Sequence, residues 1–588
     1  MSQSLLRRLG VRDQTLSQLS MCKADKSSVE EWLGNLPVAN IGETIKQLYL
    51  ITEELLKLQT PADNRLELLS LLAPRVDSNL RSLSKHYQHK QALLPKKSQQ
   101  VVDLTHALRM CVANNYTLAA FELAHSKTGL LRRPNKSQTA KAVCGAMQFL
   151  NDDLLLCYQL YTVTPHTLWY KLHQLYAISC ELQIENTRSG EFTPHGLYGK
   201  SLLLGSIKAN QLRQEDLMPV IDLIPGWIDK INISRYESGQ IPALFMLNRE
   251  TDRGPVYSHL LNKQALGECQ LQLSTTDLVQ HLRLLVDTAD AGLVEESGKK
   301  VRIDLLNHLI LAWGKCTKRS FMRINSQEKL DICVGLGAAH YFSSGETDIE
   351  DMHQLAAAAL AREAAFEEFH DYEKLKEPIE EQEWGSETPQ ISKDEDGVEC
   401  IDYAGTPARR KTIDPEEQLT VHVHVNNASP GGYSLTLPDT DKFRIHAGDL
   451  IGIKDSATEL WSVAAIRWLH RPTRTELTFG VELLSPAFLP SIARSIHTEG
   501  DPGEYLPVLM LPEVSVTEQG ASLLTSDADI EVGQTMQILD RDQIRMVRIT
   551  DQITKTRVYG QYSYEIFDAA NDGVSDSQDL FDALWGNL

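Results

Sequence analysis

The sequence predicts an α+β multidomain protein: an all-α N-terminal region, then a small antiparallel β-barrel, then a second small β-rich module. Three observations carry that expectation. Apolar residues recur every three to four positions through most of 28–235, the pattern of amphipathic helices. Beyond residue 418 the apolar period shortens to two, the pattern of half-buried strands. Between the two regimes, residues 346–417 hold 22 acidic side chains against 7 basic ones, a composition that buries little and joins more than it packs.

The helical elements read in order. Ile41 to Leu58 places Ile45, Leu48, Ile51, Leu55 and Leu58 on one stripe. Asn64 to Leu83 repeats the pattern with Leu66, Leu69, Leu72 and Leu80, and Pro74 is expected to kink or split it. Val101–His125 and Thr139–Tyr161 continue the series. Leu168, Trp169, Leu172, Leu175 and Tyr176 then follow Pro165, a residue suited to a first helical turn. The Trp–Leu–Tyr spacing has the look of a tetratricopeptide helix, but no period survives across several copies, so no solenoid is expected. These apolar faces read first as core, and a partner groove among them is the secondary reading. From Ile241 to about His259 turn residues separate short apolar runs, which suits a strand or two. Gln272–Ser274 suits another, and helices are expected again at Thr276–Asp287 and Arg302–Trp313.

In the acidic stretch, Met352–Lys376 is rich in Ala and Glu and reads as helix. The following residues, 377–397, are polar, charged and punctuated by Pro, and are expected to be disordered. Strand candidates after it are Leu419–Val425, Tyr433–Leu437, Leu450–Lys454, Trp461–Leu469 and Glu476–Leu484. Their junctions are Gly431–Gly432, Gly448–Asp449, Asp455–Ser456 and Pro472, good turn chemistry for a small antiparallel barrel. A second β-rich stretch offers Val508–Leu511, Thr535–Leu539, Ile544–Thr550 and Tyr559–Tyr564. The last residues form an acidic tail with an apolar knot at Leu580, Phe581, Leu584 and Trp585. That knot reads equally as a docking peptide or as a helix closing on its own domain.

The 588 residues give a length prior of about four domains. With 42% hydrophobic and 23% charged residues, wholesale disorder and a disulfide-stapled minimal module are excluded. The formal net charge of −21 argues against a general nucleic-acid binder, which needs a basic footprint. No apolar run is long enough to span a membrane, and the N-terminus lacks the apolar stretch of a secretory signal. The nine cysteines are scattered, with no C-x-x-C and no zinc-ligand spacing, so reduced thiols in a cytoplasmic protein are expected.

Any anionic ligand of so acidic a chain must find a local basic patch. One lies at Lys315–Arg323, with four cations in nine residues and two arginines, Arg319 and Arg323, four apart. It stands just before the strand-like Leu330–Val334. Guanidinium groups bind phosphate bidentately and stack on purines. The other interpretation of such a patch is a basic helix end whose cations cap carbonyls. A second feature, Asn427-Ala428-Ser429-Pro430-Gly431-Gly432, follows an alternating strand. Its amide and hydroxyl supply donors and acceptors, and Gly432 permits close backbone approach or a positive φ. His422 and His424 lie two apart on one strand, without a visible third metal ligand.

Together, R-x-x-x-R before one strand and N-x-S-x-x-G after a later one, followed by G-D-L-I-G-I, W-S-V-A-A-I-R-W and F-G-V-E-L-L-S-P, resemble the PilZ domain family of bacterial cyclic di-GMP receptors. The resemblance covers about 319–345 and 418–487. The helical bulk ahead of the barrel is similar to the FimW-type subset. The organisation expected on this basis is an α-helical region over 1–240 and a mixed helical connector over 241–318. A PilZ-like barrel over 319–487 is interrupted by the acidic insertion 346–417, placed between the first and second barrel strands. A β-rich module over 500–568 and the acidic tail 569–588 complete the chain. A rival basic cluster, Arg409-Arg410-Lys411, lies closer to Asn427 but lacks the arginine spacing.

The resemblance implies a ligand, cyclic di-GMP, held by Arg319 and Arg323 on guanine and phosphate. Asn427 and Ser429 would read the guanine edge, Gly432 would leave room for it, and Lys318 would add attraction. It implies a non-enzymatic cytoplasmic receptor of bacterial signalling, linked to surface motility or biofilm behaviour. No cofactor, metal or nucleic acid is expected. A protein partner is expected through the helical region or the tail. A scaffold whose degenerate barrel binds no nucleotide is the alternative, and an unrecognised enzyme is a third reading.

Overall fold

The computed structural model describes residues 7–566 apart from 12, 89, 91, 126–134, 238, 289–291, 315–321, 327, 348, 350, 355–419, 439–442, 456–458, 497–502, 514–519, 527–529 and 541–542. The helices expected at 352–376, the stretch 377–397 and the tail knot therefore lie wholly or largely outside the described residues. The chain divides into two compact units. One comprises 1–329, 423–449 and 465–482, and the other 330–422, 450–464 and 483–588.

The first unit opens with eight helices among the described residues: α1 Lys26–Gly34, α2 Ile41–Lys57, α3 Ala62–Leu83, α4 Lys96–His125, α5 Lys136–Gln159, α6 Leu168–Glu181, α7 Pro194–Ser206 and α8 Gln214–Leu223. In α2, Asn40 caps the start by accepting the Glu43 N–H, and Ile45, Leu48, Ile51 and Leu55 are buried as their spacing requires. Each such side chain contributes about 1.5–3 kcal/mol of burial. The α3 helix is not split at Pro74, which sits inside a continuous helix. The last carbonyls of α2 would be orphaned on burial. The buried Arg65 meets them, donating from Nη2 to the Leu58 carbonyl at 2.7 Å and from Nη1 to the Leu55 carbonyl.

The helical reading of 28–235 fails at its end. Residues Asn232–Arg235 form β1, paired with β4 (Leu271–Ser274) in a four-stranded sheet ordered β1-β4-β2-β3, with β2 at Phe245–Leu247 and β3 at Val256–Tyr257. Short α9 (Lys263–Gly267), α10 (Thr276–Asp287), the hairpin β5 (Leu293–Glu296) and β6 (Lys299–Arg302), and α11 (Ile303–Gly314) follow. A single hydrophobic cluster runs from Leu9 to Trp313, so the connector shares the core of the helices. Trp227 and Trp313, both buried, meet edge to face within it.

Next come β7 (Ile324–Asn325), β8 (Lys329–Val334) and α12 (Leu336–Ser343). Five further strands follow: β9 Val421–Ser429, β10 Gly432–Pro438, β11 Leu450–Lys454, β12 Trp461–His470 and β13 Glu476–Ser485. Their ladder order is β10-β13-β12-β11-β8-β9-β7, and β9 also pairs with β10. That extra pairing closes six strands into a barrel, with β7 appended to β9. Residues 355–419 fall between α12 and β9, so the acidic insertion separates strands adjacent in the ladder.

In the second unit, β14 (Leu489–Ser495), β15 (Leu506–Leu511), β16 (Ser522–Ser526), β17 (Thr535–Asp540), β18 (Gln543–Lys555) and β19 (Tyr559–Ile566) form a closed barrel ordered β14-β15-β16-β19-β18-β17. Val508, Leu523, Met536, Ile538, Val547 and Tyr562 fill it. The His340 ring of α12 hydrogen-bonds the Ser491 carbonyl at 3.0 Å, tying that helix to β14.

Candidate functional site

The site begins with a register shift. Val425 pairs with Leu435, but Asn427 pairs with Ser434, so Asn426 is an extra residue in β9. A strand without this bulge would put Asn427 on the same inward face as Val423 and Val425. With it, Asn427 and Ser434 share the outer face, where Gly480 of β13 stands opposite Ser434. The bulge is pinned by side chains: Asn426 Nδ2 donates to Thr436 Oγ1 at 2.9 Å, and Thr436 reaches Thr478 Oγ1 at 3.4 Å.

The turn from β9 to β10 is tight. Ser429 pairs with Gly432, and its hydroxyl donates to the Gly432 carbonyl at 3.1 Å, leaving its lone pairs to accept. Gly432 has φ +141°, and a Cβ there would stand 2.0 Å from the Val481 carbonyl oxygen. The glycine is therefore needed for β10 to close on β13: the close backbone approach and positive φ expected of it serve the barrel.

One atom stands out. Asn427 Oδ1 is buried and has no hydrogen-bond partner among the described residues. Strand β7 pairs Ile324 with Ala428 and Asn325 with Asn427, which delivers the preceding residue, Arg323, to the same end of β9. Arg323 is exposed. Trp468 of β12 completes the outer face: a Cβ on Gly480 would lie 1.9 Å from its Nε1, so the indole rests directly on the glycine. Arg467 Nε and Glu482 Oε2 pair beside it at 2.5 Å.

Of the residues expected at the site, the structure brings Arg323, Asn427, Ser429 and Gly432 together. Lys318 and Arg319 lie outside the described residues, as does the rival cluster at 409–411. The His422 imidazole pairs with Asp331, and among the described residues no cluster of three or more side chains could hold a metal ion. Trp468 ends the W-S-V-A-A-I-R-W motif, but sequence reasoning did not place it at the site. Its signal was Gly480, a side-chain-free position in a strand of otherwise bulky residues.

Residues just after β12 reach the helices of the first unit. The Arg471 N–H donates to the Tyr161 carbonyl at 2.8 Å, and its Nη1 to the Ala92 carbonyl at 3.1 Å. Arg471 is only 3% exposed, and burial lowers its pKa to about 10. Two residues before Trp468, Ile466 exchanges backbone hydrogen bonds with Gly448 and Asp449, and the Asp449 carboxylate is paired with Arg213. Arg474 pairs with Asp103 of α4 at 3.0 Å.

The barrel, its bulged hairpin and its arginine-bearing lead-in define a PilZ-domain protein carrying a helical domain before the barrel and a second barrel after it. Comparison with known families gives three consecutive matches, the middle one taking in the stretch 244–313 that shares the core of the helices. The N-terminal domain of the cyclic-di-GMP receptor FimW matches 27–238, its middle PilZ domain 244–490, and the FimW C-terminal β-barrel domain 491–567. The chain belongs to the FimW family. The cyclic-di-GMP receptor FimW of Pseudomonas aeruginosa is 27% identical over 617 residues, covering 99% of this chain and 98% of the relative. No solved structure matches. Among the described residues no helix is long and apolar enough to cross a membrane.

Proposed function

We propose that this protein is a non-enzymatic receptor that binds cyclic di-GMP on the outer face formed by Arg323, Asn427, Ser429 and Trp468. The observation that carries the reading is the buried, unpartnered Asn427 Oδ1. Leaving such an acceptor unsatisfied costs about 1–3 kcal/mol, and a guanine edge carries the N–H donors that would satisfy it. Ser429 adds a second acceptor to that edge. Arg323 supplies positive charge and a planar face in a chain of net charge −21, and Arg319 and Lys318 extend the patch in sequence. Trp468 offers an aromatic surface, and base stacking on such a ring is worth about 1–3 kcal/mol. Gly432 serves the site by keeping the hairpin closed.

Response follows from β12. Trp468 at the site lies near the end of β12, and Arg471 at the helices follows the strand's last residue, His470, so a ligand that shifts Trp468 acts three residues from the contact with the helices. The size of the response is limited by the ligand's differential affinity for the two arrangements. The family resemblance implies an output in surface motility or biofilm behaviour. The reading places the protein in a reducing cytoplasm, in keeping with the seven free cysteines among the described residues.

Titration calorimetry of the full chain with cyclic di-GMP tests this. Arg323→Ala and Trp468→Ala are expected to weaken binding by about tenfold or more each, since one charge-assisted hydrogen bond or one stack contributes about 1.5–3 kcal/mol. Unchanged affinity in both variants refutes the site. No binding by the wild-type chain refutes the receptor and leaves the scaffold reading.

A further inference from the structure

The second barrel has an apolar cavity of about 300 Å³ at one end. Its walls come from the start of β14, the end of β15, the start of β18 and the end of β19. Phe488, Met510, Ile538, Tyr564 and Ile566 supply the apolar surface, and Arg545 stands in the wall. Ile566 is 55% exposed. Nothing in the cyclic di-GMP reading uses this cavity.

We propose that it receives the chain's own C-terminal segment, with Leu580, Phe581, Leu584 and Trp585 seated against its apolar wall. Three observations converge on that occupant. The first is position: Ile566, which lines the cavity, is the last described residue before the segment, so the chain leaves the barrel at the rim of the cavity. The second is pattern: the four large apolar residues clustered within 580–585 have a spacing of one, three and one that suits one helical face, the arrangement that helix-in-groove recognition uses. The third is charge: residues 568–588 contain five aspartates and no lysine or arginine, and the cavity wall carries Arg545, with Arg548 further along the same strand.

Connectivity favours the intramolecular contact over any free competitor. Thirteen residues, 567–579, separate Ile566 from Leu580, a linker with a root-mean-square span of about 20 Å. Linkers this short give effective concentrations in the millimolar range. A groove with an intrinsic dissociation constant of about 0.1 mM is then filled roughly nine-tenths of the time.

Hydrogen exchange read by mass spectrometry on the full chain tests the docking. Amides of 580–585 are expected to exchange about tenfold more slowly than in a free peptide of residues 568–588, by the same factor at low and high protein concentration. In a full chain carrying Phe581→Ala and Trp585→Ala, both that segment and the strand ends around 510–511 and 564–566 are expected to exchange faster. Free-peptide rates in the wild-type chain overturn the proposal. So does protection that grows with concentration, which would mean a second copy fills the cavity. So does a double variant that changes the segment alone and leaves the strand ends untouched, which would place the contact elsewhere.

Discussion

Replacing Asn427 with alanine is expected to lower ligand affinity and leave the ligand-free barrel as stable as before, or firmer. The expectation follows from one atom. Asn427 Oδ1 is buried without a partner among the described residues, a situation worth about 1–3 kcal/mol against the folded state. Truncation removes that acceptor and keeps the Cβ, so little apolar burial is lost in exchange. The net change in the free protein is expected between zero and about 2 kcal/mol in its favour. With ligand present, the variant forfeits a guanine hydrogen bond worth roughly 1.4 kcal/mol, about tenfold in dissociation constant. A chain of several domains has no single unfolding free energy, so stability is best read locally, from amide exchange in β9 and β10, with calorimetry for the affinity. A variant that binds as tightly as wild type, with β9 and β10 amides exchanging tenfold faster in the free protein, refutes the reasoning. It would show that the amide holds the hairpin instead of awaiting a ligand.

Gly432→Ala should behave in the opposite way. Its Cβ would meet the Val481 carbonyl at φ +141°, and strain plus backbone overlap should cost about 2–4 kcal/mol, so β9–β10 exchange accelerates whether or not nucleotide is present. Arg471→Met removes a buried donor to the Ala92 carbonyl and is expected to speed exchange around 87–94 about tenfold, with wild-type exchange in the second barrel as the control. Mild acid should destabilise the helical domain. Burial lowers the His173 pKa to about 4, and with Nε2–H donating to the Arg253 carbonyl at 2.8 Å, Nδ1 is left to accept from the Tyr198 hydroxyl at 2.7 Å. An unfolded histidine takes its proton near pH 6.5, so stability falls as pH drops from about 6.5 to about 4, by roughly 3 kcal/mol. His308, also held down by burial, pushes in the same direction, and His340 does so for the second unit. Unchanged protection of 168–181 between pH 7 and pH 5, with rates taken relative to the slower intrinsic exchange in acid, would contradict this.

How much was legible depended on whether a local period reached the surface of the sequence. The strands of the first barrel alternate clearly, and β10, β11, β12 and β13 lie within one or two residues of where Gly431–Gly432, Gly448, Pro472 and the apolar period place them. Strands β14 and β16 were missed because Ser491–Ala493 and Ser522–Thr525 are buried runs without alternation. Strand β7 has two exposed residues and owes its existence to pairing with β9, information that no window of sequence contains. The hairpin residues Asn427, Ser429 and Gly432 were legible as a motif, but the bulge at Asn426 that aims Asn427 outward was not. Trp468 was hidden for the same reason, since only the ladder sets it against Gly480. Nothing in the sequence marks Arg471, which stands before Pro472, and its burial comes from tertiary packing.

The closure of the second barrel has a consequence for its company. Every one of its six strands has a neighbour on both sides, so it offers no row of unpaired amides on which a foreign strand could zip. A visiting protein cannot lengthen this sheet and must be recognised by side chains at a rim or on the outer wall. Neighbouring molecules crowded around it meet a surface that resists runaway polymerisation, which suits a module in a chain of net charge −21.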